Sequence, residues 1–155
     1  MKRLIGLLLA GLAFAASHRA NAQTLNQVKS RAQLICGVNV GLGGFALPDA
    51  DGKWAGLEVD YCRAIAAAIF ADGTKVKFVP LDAASRFEAL KSGAVDVLIR
   101  SATWTLSRDT IQGLDFEAVY YYDGQGFMVR KSMKVQSALE LDGASICVAQ
   151  GSTTE

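Results

Sequence analysis

The sequence predicts an α/β fold in which helices cover a mainly parallel sheet. Three short apolar runs, at 34–38, 76–79 and 95–99, have the length of buried strands. Two segments with apolar residues at helical spacing, at 58–70 and 83–91, separate these runs. Strands that alternate with helices in this way pair in parallel through crossover connections.

The first 22 residues are interpreted as a secretory signal peptide that takes no part in the fold. Lys2 and Arg3 precede an uncharged, mainly apolar run at 4–16, which is too short to span a membrane. The small residues of Ala20-Asn21-Ala22 predict cleavage after Ala22. We therefore expect an exported protein in the periplasm. The alternative, a membrane anchor, is disfavoured by the length of the run.

The first part of the mature chain contains one predicted strand and one predicted helix. The strand at 34–38 (LICGV) leads into a glycine-rich loop at 41–45 and a turn at 48–52. The helix at 58–70 contains an alanine run, which favours helix, and Asp72-Gly73 follows its end.

The next three elements complete the alternating pattern. The strand at 76–79 (VKFV) is expected to stop at Pro80, since proline cannot donate to a strand ladder. The helix at 83–91 is followed by Gly93, a typical residue just past a helix end. The strand at 95–99 is the last of the predicted parallel sheet.

Beyond Arg108 the pattern is weaker. We expect an extended segment at 114–122, a strand at 127–130, a short helix at 135–141 and a buried strand at 144–149. The residues that follow, QGSTTE, are typical of the entry to a helix, where backbone N–H groups lack partners within the helix.

Composition excludes several classes of function. Removing residues 1–22 takes away Lys2, Arg3 and Arg19 but no acidic residue, which leaves 13 basic and 15 acidic residues and a net charge of about −2. That balance offers no basic surface for nucleic acid. His18 is the only histidine and lies in the signal peptide. Catalysis by Ser-His-Asp or Cys-His groups and most zinc sites are therefore excluded in residues 23–155, and we expect no metal and no cofactor.

Three cysteines, Cys36, Cys62 and Cys147, remain after cleavage. Their spacing fits no C-x-x-C metal or redox motif. In an oxidising compartment one pair can form a disulfide and leave one thiol, and three pairings are possible. Because each lies among apolar residues, three buried thiols are an equally good interpretation.

Polar residues follow directly after the strand at 95–99. Ser101, Thr103 and Thr105 carry hydroxyls, and Arg108 carries a fixed positive charge. Ligands of open α/β sheets bind at the carboxyl ends of the strands, and a guanidinium can hold a carboxylate with two hydrogen bonds. The sequence therefore predicts a site for a small molecule with a carboxylate.

Several segments resemble the extracytoplasmic substrate-binding proteins of ABC transporters for polar amino acids, above all the subgroup that binds a broad range of L-amino acids. The matching segments are GVN at 37–39, GLEVDYCRAIAAAIF at 56–70, RSATWTLSRDT at 100–110, YYDGQGFMVRK at 121–131 and QGSTTE at 150–155.

The resemblance implies the two-lobed periplasmic-binding-protein fold of type 2. Residues 23–120 would form most of lobe 1 without its C-terminal return, 121–126 the first hinge strand and 127–155 the start of lobe 2. Since 29 residues cannot bury a core of their own, we expect the sequence to be the truncated N-terminal part of such a protein. One lobe alone is expected to bind ligand weakly or not at all.

The resemblance also implies a ligand site in the first lobe. Arg108 matches the arginine that pairs with the ligand α-carboxylate, and Ser101 and Thr103 match residues that contact the α-carboxylate and α-amino groups. Arg100 matches a position that faces the ligand side chain. The alternatives are an exposed Arg108 paired with a neighbouring aspartate (Asp109 or Asp115), strand-end capping by the two hydroxyls, and a surface role for Arg100.

Three further positions extend this implied site. Asn39 stands where relatives specific for cationic ligands carry aspartate, which argues against strict selection of lysine or arginine. Ser152 and Thr153 match second-lobe residues that meet the ligand carboxylate. Trp104 lines the pocket or, alternatively, belongs to the core.

The sequence departs from the subgroup at two places. It has Ser101-Ala102 where an amide residue and a threonine are usual, and Gly43 where proline is usual. The first change removes hydrogen-bonding groups beside the site, and the second loosens the first loop.

The function implied by the resemblance is periplasmic binding of L-amino acids by a monomer that delivers them to a membrane permease. One alternative is an enzyme on the same scaffold, similar to cyclohexadienyl dehydratase, with Glu58, Glu88 or Glu117 as the acid. Glu58 and Glu88 are expected to be solvated helix positions, which disfavours the enzyme. A non-functional fragment is the third possibility.

Overall fold

The computed structural model describes residues 23–155, so the predicted signal peptide lies outside the described residues. They form two compact units, of which the first ends at Arg100 and the second is Ser101–Glu155. Among residues 23–155, no helix combines the length and apolar character needed to cross a membrane.

Within the described residues, the first unit contains three helices and five strands. In chain order they are α1 (Gln23–Arg31), β1 (Leu34–Asn39), β2 (Leu47–Pro48), β3 (Trp54–Ala55), α2 (Leu57–Phe70), β4 (Val76–Leu81), α3 (Arg86–Lys91) and β5 (Val97–Leu98).

A parallel sheet with the strand order β4-β1-β5 forms the centre of this unit, as the alternating pattern predicts. The central strand β1 buries Leu34, Cys36 and Val38, and α2 buries Val59 and Ala66 against it. The predicted strand at 34–38 and helix at 58–70 are confirmed, each with bounds one residue longer.

The prediction that the second strand stops at Pro80 is wrong. β4 continues to Leu81, and Pro80 is the register partner of Val38. The reason is that β4 lies at the edge of the sheet, where a proline can direct its missing N–H away from the ladder.

The β2–β3 hairpin and the helix α1 were not predicted. The turn at 48–52 is confirmed, but it connects β2 and β3 as an antiparallel hairpin, and the Asp49 side chain accepts backbone N–H groups from Asp51 and Lys53 at 3.0 and 2.8 Å. The polar helix α1 shows little apolar periodicity. It is held by the buried side chain of Val28 and by an ion pair between Arg31 and Asp96.

The last helix and strand of the unit are shorter than predicted. The carboxylate of Asp82 accepts the backbone N–H and the hydroxyl of Ser85, which makes a turn of the residues before α3. α3 therefore begins at Arg86 rather than at residue 83. The run at 95–99 has ladder pairing only at Val97–Leu98.

A disulfide joins β1 to α2. Cys36 and Cys62 are bonded at 2.06 Å, and both are fully buried. This is one of the three pairings that the sequence left open. The interpretation of three buried thiols is wrong, and Cys147 is exposed and carries the remaining thiol.

The second unit has little regular structure. A π-helical turn at Ser107–Ile111 and two 3₁₀ turns, at Lys131–Met133 and Ala138–Leu141, are its helical elements among the described residues. The predicted helix at 135–141 is thus reduced to one 3₁₀ turn, and residues 150–154 form turns and a bend.

The strands predicted in the second unit do not form ladders. The segments at 127–130 and 144–149 have no strand pairing, and the expectation of a buried strand at 144–149 is wrong because all six residues are exposed. A strand needs a hydrogen-bonded neighbour and a covered apolar face. Neither is provided for these segments by the residues that the structure describes.

Candidate functional site

Asn39 lies at the carboxyl end of β1, where a ligand-contacting residue is expected. Its backbone N–H donates to Oε2 of Glu58 at 3.1 Å, and its side-chain Oδ1 accepts the N–H of Gly41 at 3.4 Å. Glu58 is fully buried in the first turn of α2. The prediction that Glu58 is a solvated helix position is therefore wrong, whereas Glu88 is exposed as expected.

Arg100 lies near Asn39 at the same end of the sheet. Its Nε donates to the backbone oxygen of Leu81 at 2.8 Å, and Leu81 is the register partner of Asn39. Arg100 is half-buried, and its role at a ligand side chain stays a prediction. The structure thus brings two of the predicted ligand-binding residues to one sheet edge in the first unit.

Ser101 opens the second unit in a strained conformation. Its φ of 28° lies in the left-handed region, which residues other than glycine rarely adopt. Its backbone N–H donates to the hydroxyl of Tyr120 at 3.0 Å. Strained residues are often found at functional sites. The sequence pattern identifies Ser101 as a candidate ligand-binding residue but does not predict its backbone conformation.

Arg108 is buried within the π-helical turn, with 5% of its surface exposed. Nη1 donates to the backbone oxygen of Thr103 at 2.8 Å, and Nη2 donates to that of Gly151 at 3.3 Å. Its own backbone N–H donates to Oγ1 of Thr105 at 3.3 Å. The alternative of an exposed Arg108 is wrong. Burial lowers the pKa of its guanidinium from the ordinary value.

The hydroxyls of Thr103 and Thr153 lie 3.2 Å apart, and Arg108 contacts the backbone oxygen of the same Thr103. The amide of Gln125 reaches Oγ1 of Thr153 at 3.5 Å. The hydroxyl of Ser152 instead meets that of Thr154, at 2.6 Å. Arg108, Thr103 and Thr153 therefore come together although 50 residues separate the two threonines.

Gln125 was missed as a candidate by sequence reasoning. The signal that could have identified it is its position between Gly124 and Gly126 in the segment YYDGQGFMVRK. Trp104 is 48% exposed and stacks on Phe116, with ring centroids 5.6 Å apart. The interpretation of Trp104 as a core aromatic is therefore wrong.

A separate depression of about 240 Å³ lies in the second unit and contains none of the predicted site residues. Its lining residues are Phe127, Val129, Val135, Gln136, Ser137, Ala138 and Leu141. We assign the candidate site to Arg108 and its neighbours instead, because charge and polar groups converge there. No cluster of three or more potential metal ligands occurs within residues 23–155.

This arrangement suits recognition of an anion. A guanidinium fixed by two backbone carbonyls is oriented before a ligand arrives, and neighbouring hydroxyls can donate to a carboxylate.

The sequence matches a known protein family. Residues 34–153 match the profile of the bacterial extracellular solute-binding proteins, family 3. The general L-amino acid-binding periplasmic protein AapJ of Rhizobium johnstonii is 60% identical over 136 residues, which are 88% of this chain and 40% of that protein. The glutamate/glutamine/aspartate/asparagine-binding protein BztA of Rhodobacter capsulatus is 62% identical over 136 residues, which are likewise 88% of this chain and 40% of that protein.

A solved structure is similar as well. An ABC transporter periplasmic binding protein from Brucella ovis with glutathione bound is 61% identical, with a TM-score of 0.79 over 84% of this chain and 41% of that one. The chain thus spans about 40% of the length of the curated relatives named above.

Proposed function

Because the chain belongs to the bacterial extracellular solute-binding proteins of family 3, we propose that it serves as a periplasmic receptor for L-amino acids. In this proposal the receptor captures its ligand outside the inner membrane and delivers it to the permease of an ABC transporter. The names of AapJ and BztA, which describe both relatives as amino-acid-binding proteins and AapJ as periplasmic, support the proposal.

The buried guanidinium of Arg108 is the observation that carries the proposal. Two backbone oxygens, of Thr103 and Gly151, hold it at 2.8 and 3.3 Å, and the Thr103 hydroxyl lies 3.2 Å from that of Thr153. In the proposed complex Arg108 pairs with the ligand α-carboxylate, and the hydroxyls of Ser101, Thr103, Ser152 and Thr153 and nearby backbone amides add hydrogen bonds.

Broad selectivity is proposed from Asn39. A neutral amide at the end of β1 provides no negative charge to attract a lysine or arginine side chain, and it can hydrogen-bond acidic, amide and hydroxyl groups. The names of AapJ and BztA, one general and the other limited to acidic residues and their amides, point in the same direction. Arg100 at the same sheet edge favours a negatively charged or polar ligand side chain.

The dehydratase alternative has less support from the carboxylates. Glu88 and Glu117 are exposed, so neither lies in the buried environment typical of a general acid. Glu58 is buried but accepts the backbone N–H of Asn39. Incubation of the native protein with a cyclic dienyl acid and assay for the aromatic product would identify an enzyme.

Calorimetric titration of the native protein tests the binding proposal. L-Glutamate is compared with γ-aminobutyrate, which has the same chain without the α-carboxylate, and with L-alanine, L-arginine and glutathione. We expect saturable binding of L-glutamate. We expect no detectable binding of γ-aminobutyrate, because it lacks the α-carboxylate that would pair with Arg108. Equal affinity for both compounds, or no binding of any L-amino acid, would overturn the proposal.

A further inference from the structure

Glu58 contacts both ends of the glycine-rich loop. At the start of the loop, its Oε2 accepts the backbone N–H of Asn39 at 3.1 Å. At the other end, its own backbone N–H donates to the oxygen of Phe45 at 3.0 Å. One fully buried residue at the start of α2 therefore connects the two ends of residues 39–45, which we call the 39–45 loop.

Neighbouring contacts reinforce this connection. The N–H of Leu57 donates to the oxygen of Gly44 at 3.0 Å, so the first turn of α2 holds the end of the loop with two backbone hydrogen bonds. Within the loop, Leu42 donates its N–H to the oxygen of Ala46, the residue directly after the loop, at 2.8 Å. By contrast, the contact at the start of the loop depends on a side chain, that of Glu58.

The disulfide joins the same two elements. Cys36 precedes Asn39 by three residues on β1, and Cys62 follows Glu58 by four residues on α2, which places it on the same helix face. β1 and α2 are thus linked twice, by the covalent bond and by the hydrogen bond between Asn39 and Glu58. Because the disulfide fixes the separation of the two elements, the Glu58 carboxyl group is held within reach of the strand end.

We infer that Glu58 is a positioning residue that fixes the 39–45 loop and, through it, the side chain of Asn39 at the carboxyl end of β1. The inference rests on the proposed function, because Asn39 matters to selectivity only if the site binds an amino acid. A buried carboxyl group without this role would be costly to keep, since an acidic group loses its hydration on burial.

Two substitutions of similar size separate the hydrogen bond from packing. Glu58→Gln keeps a side-chain oxygen that can accept the N–H of Asn39, whereas Glu58→Met offers only a weakly accepting sulfur. Glu88→Gln in α3 serves as the control for a change in charge, since Glu88 is exposed. Val28→Ala, in the core of the same unit, serves as the control for general destabilisation.

Two measurements on the native protein follow. Amide hydrogen exchange of Asn39 reports on the loop without any ligand, and calorimetry reports the affinities for L-glutamate and L-arginine. We expect Glu58→Met to accelerate exchange at Asn39 by about tenfold and to weaken L-glutamate binding by about fivefold, since a buried donor loses its partner. Glu58→Gln and both controls should leave the two quantities near those of the unmodified protein.

The outcomes distinguish this inference from the proposed function. Unchanged exchange at Asn39 in Glu58→Met would overturn the inference whether or not any ligand binds. Accelerated exchange with unchanged affinities for both ligands would overturn it too, because the loop would then have no influence on the site. If the unmodified protein bound no amino acid, the proposed function would fail, and with it the role of Glu58 at a ligand site, while the exchange result would still report on the loop itself.

Discussion

Arg108 keeps its charge although it is buried. Desolvation lowers its pKa, but a guanidinium is so strongly basic that it stays protonated throughout the neutral range. Two backbone oxygens replace part of the hydration that the side chain loses. Binding through Arg108 should therefore depend little on pH between 6 and 8, and any change there would come from other groups.

Substituting Arg108 by lysine tests its role directly. Lysine keeps the positive charge but cannot reach both backbone oxygens and a carboxylate at once. We expect the Kd for L-glutamate to rise by at least about tenfold, since a hydrogen bond to a charged group contributes about 1.5–3 kcal/mol. The control is Arg130→Lys, an exposed position. A Kd within twofold of the unmodified protein would contradict the assignment of Arg108.

Gly56 is required for steric reasons before α2. Its φ is 123°, and a Cβ there would lie 2.3 Å from the backbone oxygen of Phe45. Gly56→Ala should destabilise the protein by about 2 kcal/mol or more, measured by urea unfolding. Gly124→Ala is the matched control because no atom lies within 4 Å of the added Cβ. Similar midpoints for both variants would contradict this account.

Arg108 and Glu58 show which properties of a single residue can be predicted from the sequence around it. The position of Arg108 after a buried strand, with hydroxyls before it, was enough to identify it as a candidate. Glu58 was misjudged because a charged residue in a helical pattern usually faces solvent. Its burial depends on the 39–45 loop and the end of β1, and no local pattern around Glu58 contains that information.

At the scale of elements, the disulfide is the strongest single link between β1 and α2. It spans 26 residues, for which the chain-entropy relation gives about 3–4 kcal/mol of stabilisation. The double variant Cys36→Ala/Cys62→Ala should lose about that amount in urea unfolding. Cys147→Ala, at an exposed position, is the control and should leave the unfolding midpoint unchanged.

Labelling of thiols checks the pairing itself. Before reduction, alkylation followed by peptide mass spectrometry should modify Cys147 and leave Cys36 and Cys62 unmodified. After reduction in denaturant all three should react. Modification of Cys36 in the unreduced native protein would contradict the pairing.

Two aspartates make the stability of the turns around β4 depend on pH. Asp72 accepts the hydroxyl and backbone N–H of Thr74, and Asp82 accepts those of Ser85, and these hydrogen bonds lower the pKa of both carboxyls below 3.8. A carboxyl whose pKa is lowered in the folded state stabilises the protein at pH values above its pKa in the unfolded state. That contribution should be lost as the pH falls from 3.8 through the folded values.

The corresponding measurement is urea unfolding between pH 5 and pH 2. The double variant Asp72→Asn/Asp82→Asn should show a shallower loss of stability on acidification than the unmodified protein, because asparagine does not titrate. Asp51→Asn, at an exposed position in the β2–β3 hairpin, is the control and should keep the original slope. An identical slope in the double variant would show that the two turns contribute nothing to the pH dependence.

The elements of the first unit were largely predictable, for a physical reason. β1, α2 and β4 are long enough to show their periodicity, and β1 is buried along most of its length. The strand end predicted at Pro80 was wrong because proline is compatible with a strand at a sheet edge. Whether a strand lies at an edge is a property of the sheet topology. In the second unit the apolar segment 144–149 has the composition of a strand, but composition does not provide the neighbouring strand that pairing requires.

For the whole molecule, the predicted fold class is confirmed. The α/β architecture of the two-lobed periplasmic binding proteins agrees with the family match and with the similarity to the Brucella ovis structure. The assignment of residues 23–120 to lobe 1, 121–126 to the hinge and 127–155 to lobe 2 stays a prediction. The division after Arg100 concerns compactness and does not test those boundaries.

Export is the property of the whole molecule that the proposed function requires. A receptor for external amino acids must pass the inner membrane, and the pattern at residues 1–22 predicts cleavage between Ala22 and Gln23. Cleavage removes three positive charges and leaves residues 23–155 with a net charge of about −2. The mature receptor would thus carry no excess of basic residues in this part of the chain to attract it to anionic membrane surfaces.

Mass spectrometry of the periplasmic fraction tests this prediction. We expect Gln23 as the N-terminal residue of the mature protein. Replacing both Ala20 and Ala22 by leucine should block cleavage and leave a precursor in the membrane fraction that is heavier by residues 1–22, since the peptidase requires small residues at these positions. Asn21→Gln is the matched control, because the residue between them is not restricted in size. A periplasmic protein that still carries residues before Gln23 would contradict the prediction.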